Sequence, residues 1–157
     1  MPNNLEKIDF ILNGKKTSIK SEPSERLSKV LRENLGLKGT KIGCNAGDCG
    51  SCTIMIDNEA ICSCLIAIAK VNGKNIETIE GLNNKGTASL QKSFLKHGAA
   101  QCGICTPGLL MSASSLIRKN PTPNKQEIEE ALSGVLCRCT GYQKIITSIL
   151  NVNSCDE

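Results

Sequence analysis

Aromatic residues are almost absent from this chain of 157 residues. It contains two Phe, one Tyr and no Trp, which together make 2% of the sequence. Single-stranded nucleic-acid sites use aromatic rings as stacking platforms, and nucleic-acid surfaces in general concentrate basic residues. The formal net charge is only +4, from 19 basic and 15 acidic residues that are spread along the chain. Both observations argue against nucleic-acid binding.

The sequence also lacks a long apolar run and an apolar leader. The longest uninterrupted apolar run covers residues 64–69, whereas a membrane span needs about 20 residues. The first ten residues carry Glu6, Lys7 and Asp9, which argues against a secretory signal. We therefore expect a cytoplasmic chain without a membrane span, in which cysteines stay reduced and serve metal binding or catalysis.

Cysteine is abundant, with ten residues. Three of them have the C-x4-C-x2-C spacing typical of plant-type [2Fe–2S] proteins: Cys44, Cys49 and Cys52. Three glycines lie among these cysteines: Gly43, Gly47 and Gly50. Glycine lets backbone N–H groups approach the sulfur atoms closely. This pattern requires a distant fourth ligand. Spacing alone leaves Cys62 and Cys64 equally open.

A second set of four cysteines lies in the other half of the chain, as Cys102 and Cys105 (C-x2-C) and Cys137 and Cys139 (C-x-C). Thr106 and Thr140 follow two of these cysteines, and each is predicted to cap a helix whose positive N-terminal end faces the thiolates. Zinc is the alternative metal for this set, because two Cys pairs can also form a tetrahedral zinc site. Cys155 stands alone and is predicted to be a free thiol.

The period of the apolar residues changes from two to 3.6 near the middle of the chain. The first half is predicted to form a hairpin with strands at residues 7–12 and 15–20, a helix at 25–34 and a strand at 53–57. Four short helices are predicted in the second half, at residues 87–95, 107–119, 123–132 and 141–150. We expect two domains, residues 1–79 and 80–157.

Two long motifs, in this order, make the chain resemble the small iron–sulfur subunits of molybdenum hydroxylases. The first motif comprises residues 43–52 (GCNAGDCGSC), 64–65 (CL) and 78–81 (TIEG). The second comprises residues 101–108 (QCGICTPG) and 136–142 (LCRCTGY). Members of this family include xanthine dehydrogenase, nicotinate dehydrogenase, aerobic carbon monoxide dehydrogenase and hydroxybenzoyl-CoA reductase. The resemblance extends over nearly the whole chain.

The resemblance implies an α+β fold, in which a ferredoxin-like β-grasp domain precedes a four-helix domain and each binds one [2Fe–2S] cluster. The implied ligands of the first cluster are Cys44, Cys49, Cys52 and Cys64. The implied ligands of the second cluster are Cys102, Cys105, Cys137 and Cys139. Gln101 matches a glutamine that contacts molybdopterin in the family. Its alternative role, judged from the sequence alone, is that of an amide satisfied at a helix end.

The function implied by the resemblance is electron transfer. Single electrons would pass from molybdopterin through the two clusters to a flavin, with no catalytic residue in this chain. Partner chains would supply the cofactors: a large subunit with molybdopterin, expected as the cytosine dinucleotide, and a medium subunit with FAD, in a dimer of heteromers. The expected substrate is an aromatic N-heterocycle such as nicotinate or a purine. The alternatives are a carbon monoxide dehydrogenase or hydroxybenzoyl-CoA reductase type of subunit, a free-standing two-cluster ferredoxin, and a zinc-binding interaction module.

Overall fold

The computed structural model describes residues 4–85 and 88–152. Its first half is built on a five-stranded sheet with the strand order β2-β1-β5-β3-β4. The strands are β1 (Glu6–Leu12), β2 (Lys15–Ser21), β3 (Thr53–Ile56), β4 (Glu59–Cys62) and β5 (Asn75–Glu77). Strands β1 and β5 pair in parallel, and the other neighbours pair antiparallel.

The predicted hairpin is confirmed. Leu12 pairs with Lys15, so that Asn13 and Gly14 alone form the turn between β1 and β2. Both residues have positive φ angles, 51° and 82°. Two-residue hairpin turns of this kind favour Asn-Gly because Asn tolerates the left-handed region and Gly enters it without strain.

The helical segment α1 contributes apolar side chains to the core of the first half. It begins as α-helix at Leu27–Lys29 and continues as π-helix at Val30–Asn34, where the N–H of Leu35 reaches the carbonyl of Val30. The predicted helix at residues 25–34 is thus confirmed in place, with a wider second half. Aliphatic side chains make most of the core beneath it, including Ile8, Leu27, Val30, Leu31, Ile54, Ile68 and Ile76, together with Phe10.

The second half contains the four predicted helices: α2 (Ala88–Lys96), α3 (Thr106–Lys119), α4 (Lys125–Leu132) and α5 (Gln143–Leu150). Residue 87, the first of the predicted α2, lies outside the described residues. The helices enclose a second core, which includes Leu90, Phe94, Leu109, Met111, Ile128 and Ile145. Met55 of β3 joins this core, so the sheet and the helices share an interface. The predicted α+β class is confirmed.

Two predicted helix caps are wrong. The N-cap of α3 is Cys105, with Thr106 already inside the helix, and the N-cap of α5 is Tyr142 instead of Thr140. The Thr140 hydroxyl lies 3.0 Å from the Cys137 Sγ and accepts a bond from the Tyr142 N–H, so it serves the cysteine loop instead of a helix end. Only α3 therefore begins directly at a cysteine of the second set.

A buried ion pair connects the two halves. The Arg118 guanidinium of α3 donates to both carboxylate oxygens of Glu77 on β5, at 2.7 and 3.1 Å. The Glu77 side chain is only 4% exposed. Among the described helices, none is both long enough and apolar enough to cross a membrane.

Candidate metal centres

The first cysteine site lies in the irregular loop between α1 and β3. Cys44 and Cys49 face each other across this loop, because the N–H of Cys44 donates to the Cys49 Sγ at 3.3 Å and the N–H of Cys49 donates to the Cys44 Sγ at 3.4 Å. Cys52 closes the loop and is buried. Cys64 lies in the short 3-10 helix Ser63–Leu65, with its thiol next to that of Cys52. The site therefore offers two pairs of thiols.

Glycine is required where this loop curls around the sulfur atoms. A Cβ at Gly43 would lie 2.7 Å from the Cys49 Sγ. Gly47 has a φ of 92°, and a Cβ there would lie 2.6 Å from the Leu65 side chain. At Gly43 the neighbouring sulfur leaves no room for a side chain. At Gly47 the exposed Leu65 side chain could move, and it is the positive φ angle that favours glycine.

Backbone N–H groups point at the sulfurs of the first site. Those of Ala46 and Cys49 donate to the Cys44 Sγ and lower the pKa of this exposed thiol to about 7. Hydrogen bonds to the charged form favour the thiolate, which is the form that binds metal. Burial has the opposite effect on Cys64 and raises its pKa to about 12, with the neighbouring Cys52 adding to the rise. Metal binding must therefore displace a proton from Cys64.

The thiols of Cys62 and Cys64 have different hydrogen-bonding surroundings. Cys64 is 2% exposed, and its thiol receives the backbone N–H of Gly47. Cys62 ends strand β4 opposite Thr53, and its Sγ lies near the Gly47 carbonyl oxygen at 3.9 Å and the Thr53 hydroxyl at 4.0 Å. An amide donor favours a thiolate, whereas a carbonyl oxygen favours a protonated thiol. The thiol of Cys52 lies beside both of these cysteines, and the contacts of Cys64 are compatible with a ligand role.

The second site is formed by the loops on either side of α3 and α4. The Sγ atoms of Cys102 and Cys139 are 3.6 Å apart. Cys105 and Cys137 form a second pair, and burial, together with Cys137, raises the pKa of Cys105 to about 12. The exposed Gln101 lies at the rim, where its Nε2 donates to the Cys139 carbonyl at 3.3 Å. Cys155 lies outside the described residues.

The pairing of the thiols fits a dinuclear cluster. In the described part of the chain, no set of three or more His, Cys, Asp or Glu side chains surrounds a point where one metal ion would sit. In a [2Fe–2S] cluster with four cysteines, each iron takes two thiolates, so two pairs of thiols suit it.

The two sites touch each other through their backbones. The N–H of Leu136, next to Cys137, donates to the carbonyl oxygen of Cys49 at 2.9 Å. A Cβ at Gly50 would collide with the Gly134 carbonyl oxygen, and one at Gly108 would lie 2.5 Å from the Gly50 carbonyl oxygen. This contact was not predicted from the sequence, although glycines at positions 50, 108 and 134 are compatible with a close backbone approach.

Tyr142 was also missed. Its hydroxyl accepts the N–H of Cys137 at 2.8 Å and donates to the carbonyl of Val135 at 3.0 Å. In the sequence, Tyr142 lies at the end of the second family motif and among the apolar residues of a predicted helix, and neither position assigns a role to its hydroxyl. Nothing in the spacing indicates that its hydroxyl turns back to the cysteine loop.

Comparison with known proteins agrees with this two-site organisation. Residues 10–78 match the family of 2Fe-2S iron-sulfur cluster binding domains, and residues 78–150 match the [2Fe-2S] binding domain family. The chain is 45% identical to the nicotine 6-hydroxylase small subunit of Paenarthrobacter nicotinovorans, covering 96% of this chain and 91% of the relative. It is 44% identical to the nicotinate dehydrogenase small FeS subunit of Eubacterium barkeri, covering 90% and 91%. It superposes on a chain of quinoline 2-oxidoreductase from Pseudomonas putida 86 with a TM-score of 0.89 and 47% identity, covering 94% and 91%.

Proposed function

The chain belongs to the small iron–sulfur subunits of the molybdenum hydroxylases, and we propose that each of its two cysteine sites holds one [2Fe–2S] cluster. The proposed ligands of the first cluster are Cys44, Cys49, Cys52 and Cys64. Those of the second are Cys102, Cys105, Cys137 and Cys139. Their arrangement as pairs of thiols is the observation that carries this assignment.

The chain is the electron-transfer subunit of an oxidoreductase. When bound, the clusters take up and release single electrons, in the proposed order from molybdopterin by way of the second site and then the first site to a flavin. The chain's own residues hold the iron through thiolates and stabilise negative charge on sulfur with N–H groups such as that of Ala46. The Leu136–Cys49 hydrogen bond keeps the two ligand loops in contact.

Partner chains would carry the other cofactors, a molybdopterin cytosine dinucleotide on a large subunit and FAD on a medium subunit. Exposed apolar side chains beside each site support docking there. Ile104 and Leu136 are 50% and 58% exposed at the second site, and Leu65 is 63% exposed at the first. We propose that the large subunit covers the second site, where Gln101 contacts molybdopterin, and that the FAD subunit covers the first. A dimer of such heteromers in the cytoplasm is proposed for the whole assembly.

The proposed substrate of the assembly is an aromatic N-heterocycle. The names of relatives at 45%, 44% and 41% identity refer to nicotine, nicotinate and isoquinoline, which are all compounds of this class. Purines are also aromatic N-heterocycles, and a relative at 42% identity is named as a xanthine dehydrogenase subunit, so a purine substrate is included in this proposal. The carbon monoxide dehydrogenase and hydroxybenzoyl-CoA reductase types are the alternatives.

We also propose that the chain divides near residue 80 into units 1–79 and 80–157. The two apolar cores support this division, because the first is built from residues 8–76 and the second, apart from Met55, from residues 82–152. Each unit then contains one cysteine site.

Native purification from the source organism tests the assembly. An affinity tag on this chain should retain two larger subunits, and the complex should contain molybdenum and FAD as well as iron. Candidate N-heterocycles can then be tested as reductants of its clusters. Reduction is monitored as the loss of the visible absorbance of the clusters. A chain that retains both clusters but is always recovered alone would support the free-standing ferredoxin instead.

A further inference from the structure

The loop that carries Cys137 and Cys139 ends in a residue with an unusual backbone conformation. Tyr142 has a φ of 65°, in the left-handed region, directly after Gly141 with a φ of 61°. A bulky aromatic residue is rare in this region, and such strain persists where the surrounding structure over-determines it, often at functional sites. Glycine would adopt the same backbone without strain. The tyrosine side chain must therefore supply contacts that offset the unfavourable conformation.

Those contacts are made by the hydroxyl group. It accepts the N–H of Cys137 at 2.8 Å and donates to the carbonyl of Val135 at 3.0 Å. The two peptide groups lie on either side of Leu136, so one hydroxyl bridges the loop across this residue. Removing the oxygen would break both hydrogen bonds at once.

The bridged residue is the one that connects the two cysteine sites. The N–H of Leu136 donates to the Cys49 carbonyl at 2.9 Å, and Val135 packs against Gly50 with only 2% of its own surface exposed. The Tyr142 hydroxyl, the Leu136 backbone and the Cys49 carbonyl thus form one connected set of hydrogen bonds. Groups in such a set depend on one another for their orientation.

We infer that Tyr142 is a positioning residue of the second site, whose hydroxyl orients the Cys137 backbone and holds the Leu136 N–H against the Cys49 carbonyl. The inference rests on the proposed function insofar as it concerns a cluster bound by Cys137. Backbone N–H orientation around ligand sulfurs is one of the factors that set the reduction potential of an iron–sulfur cluster. Loss of the hydroxyl should therefore affect the cluster bound by Cys137 more than the cluster at the first site, which it reaches only through the Cys49 carbonyl.

The direct test is the substitution Tyr142→Phe in the full chain with its clusters. The expected result is a changed EPR signal and a shifted midpoint potential, with a clearly larger effect on one cluster than on the other. Ser93→Ala is the matched control, because the Ser93 hydroxyl makes a buried 2.6 Å bond to the Ser148 carbonyl in the same helical half. The control also loses a hydroxyl hydrogen bond, but both of its EPR signals should be unchanged.

A second measurement reports on the loop itself. Hydrogen exchange, followed by mass spectrometry of the peptide that covers residues 134–139, should be at least tenfold faster for the Leu136 and Cys137 amides in Tyr142→Phe than in Ser93→Ala. This readout does not depend on redox activity. If the wild-type chain proves to contain no clusters, the proposed function fails, and the exchange comparison still decides whether Tyr142 fixes the loop.

The chain has a single tyrosine, which permits a milder variant. Biosynthetic replacement of tyrosine by fluorotyrosine alters position 142 alone, strengthening the hydroxyl as a donor and weakening it as an acceptor while retaining the ring. The EPR signal that changes most in Tyr142→Phe should also change in the fluorotyrosine protein. If Tyr142→Phe does not fold, fluorotyrosine decides the question. Unchanged EPR signals, potentials and amide exchange in the variant that folds would overturn the inference.

Discussion

Arg118 and Glu77 form a bidentate ion pair between helix α3 and strand β5, with N–O distances of 2.7 and 3.1 Å. The carboxylate is almost completely buried, and the guanidinium side chain is 22% exposed. Arg118 also donates to the Met55 Sδ and the Asn58 Oδ1, so its side chain reaches both β3 and the turn after it. The pair therefore ties the helical half to two strands of the sheet.

Replacement of this arginine should destabilise the chain strongly. The substitution Arg118→Met removes two charge-assisted hydrogen bonds from a carboxylate side chain that is 4% exposed, so it should cost about 3 kcal/mol. The midpoint of thermal unfolding should fall by roughly 6–12 °C. Circular dichroism of the full chain measures this midpoint.

The neighbouring residue supplies the control. Lys119 pairs with Glu59 at 2.7 Å, but both side chains are more than half exposed. Exposed pairs contribute about 0–1 kcal/mol, so Lys119→Met should leave the midpoint nearly unchanged. Equal losses in the two methionine variants would contradict a structural role for the buried pair.

The close approach of the two cysteine loops predicts a selective effect at Gly50. Gly50 and Gly73 have similar positive φ angles, 67° and 74°, but only Gly50 has backbone atoms of Gly134 and Val135 where a Cβ would go. Gly73→Ala should cost about 1 kcal/mol from backbone strain alone. Gly50→Ala should cost roughly 1–3 kcal/mol more, because the loops must separate.

The readouts for this pair of variants are the thermal midpoint and the amide exchange of Leu136. Separation of the loops should break the Leu136–Cys49 bond and speed this exchange in Gly50→Ala only. Similar midpoints and similar exchange in both variants would show that the loops do not depend on their close contact.

The choice between Cys62 and Cys64 predicts opposite results for two serine variants. Cys64→Ser should lose about half of the iron and one of the two EPR signals, because a serine oxygen is a poor substitute for a thiolate next to Cys52. Cys62→Ser should keep both signals, since its Sγ lies against a carbonyl and a hydroxyl oxygen. Loss of a cluster in Cys62→Ser with retention in Cys64→Ser would reverse the assignment.

The thiols of the iron-free chain should differ in reactivity towards iodoacetamide. The backbone N–H groups of Ala46 and Cys49 lower the pKa of Cys44 to about 7, so its thiolate is present above pH 7 and is lost as the pH falls below it. Burial raises the pKa of Cys64 and of Cys105 to about 12, so both remain protonated at neutral pH.

Mass spectrometry of tryptic peptides should therefore find Cys44 alkylated well before Cys64 and Cys105 at pH 7.5. The rate at Cys44 should fall about tenfold for each unit of pH below 7, as the thiolate fraction falls. The rate should level off above about pH 8, and a rate at Cys44 that still rises about tenfold between pH 8 and 9 would contradict the role of the two N–H groups.

Local signals predicted much of the fold. The Asn13-Gly14 turn and the apolar periods indicated the first hairpin and the four helices of the second half correctly. The capping box of α4 is local in the same way, because its Asn124 side chain accepts the N–H of Glu127, three residues further on. Such features depend on residues that are close in the sequence.

Features that depend on distant residues were not predicted. The Thr140 cap failed because its hydroxyl is engaged by Cys137 and Tyr142, a competition that spacing does not show. The Thr106 cap failed because the helix already begins at Thr106, with Cys105 as its N-cap. The short strand β4 has no clear period, because its four residues alternate little in burial. The contact of Leu136 with Cys49 joins residues 87 positions apart and could be seen only in the folded chain.

The cysteine sites lie between these extremes. The spacing of Cys44, Cys49 and Cys52 predicted one site from the residues themselves. The choice of Cys64 came from the resemblance and stays a prediction, because Cys52 lies beside both Cys62 and Cys64. The pairing of Cys102 with Cys139 required the structure, since spacing does not decide which cysteines become neighbours.

The most direct test of the central claim is metal and sulfide analysis of the purified chain, combined with EPR after reduction. Two [2Fe–2S] clusters predict four iron atoms and four acid-labile sulfides per chain, two of each per cluster, a brown colour and two distinct EPR signals. A colourless chain containing zinc and no labile sulfide would contradict the account.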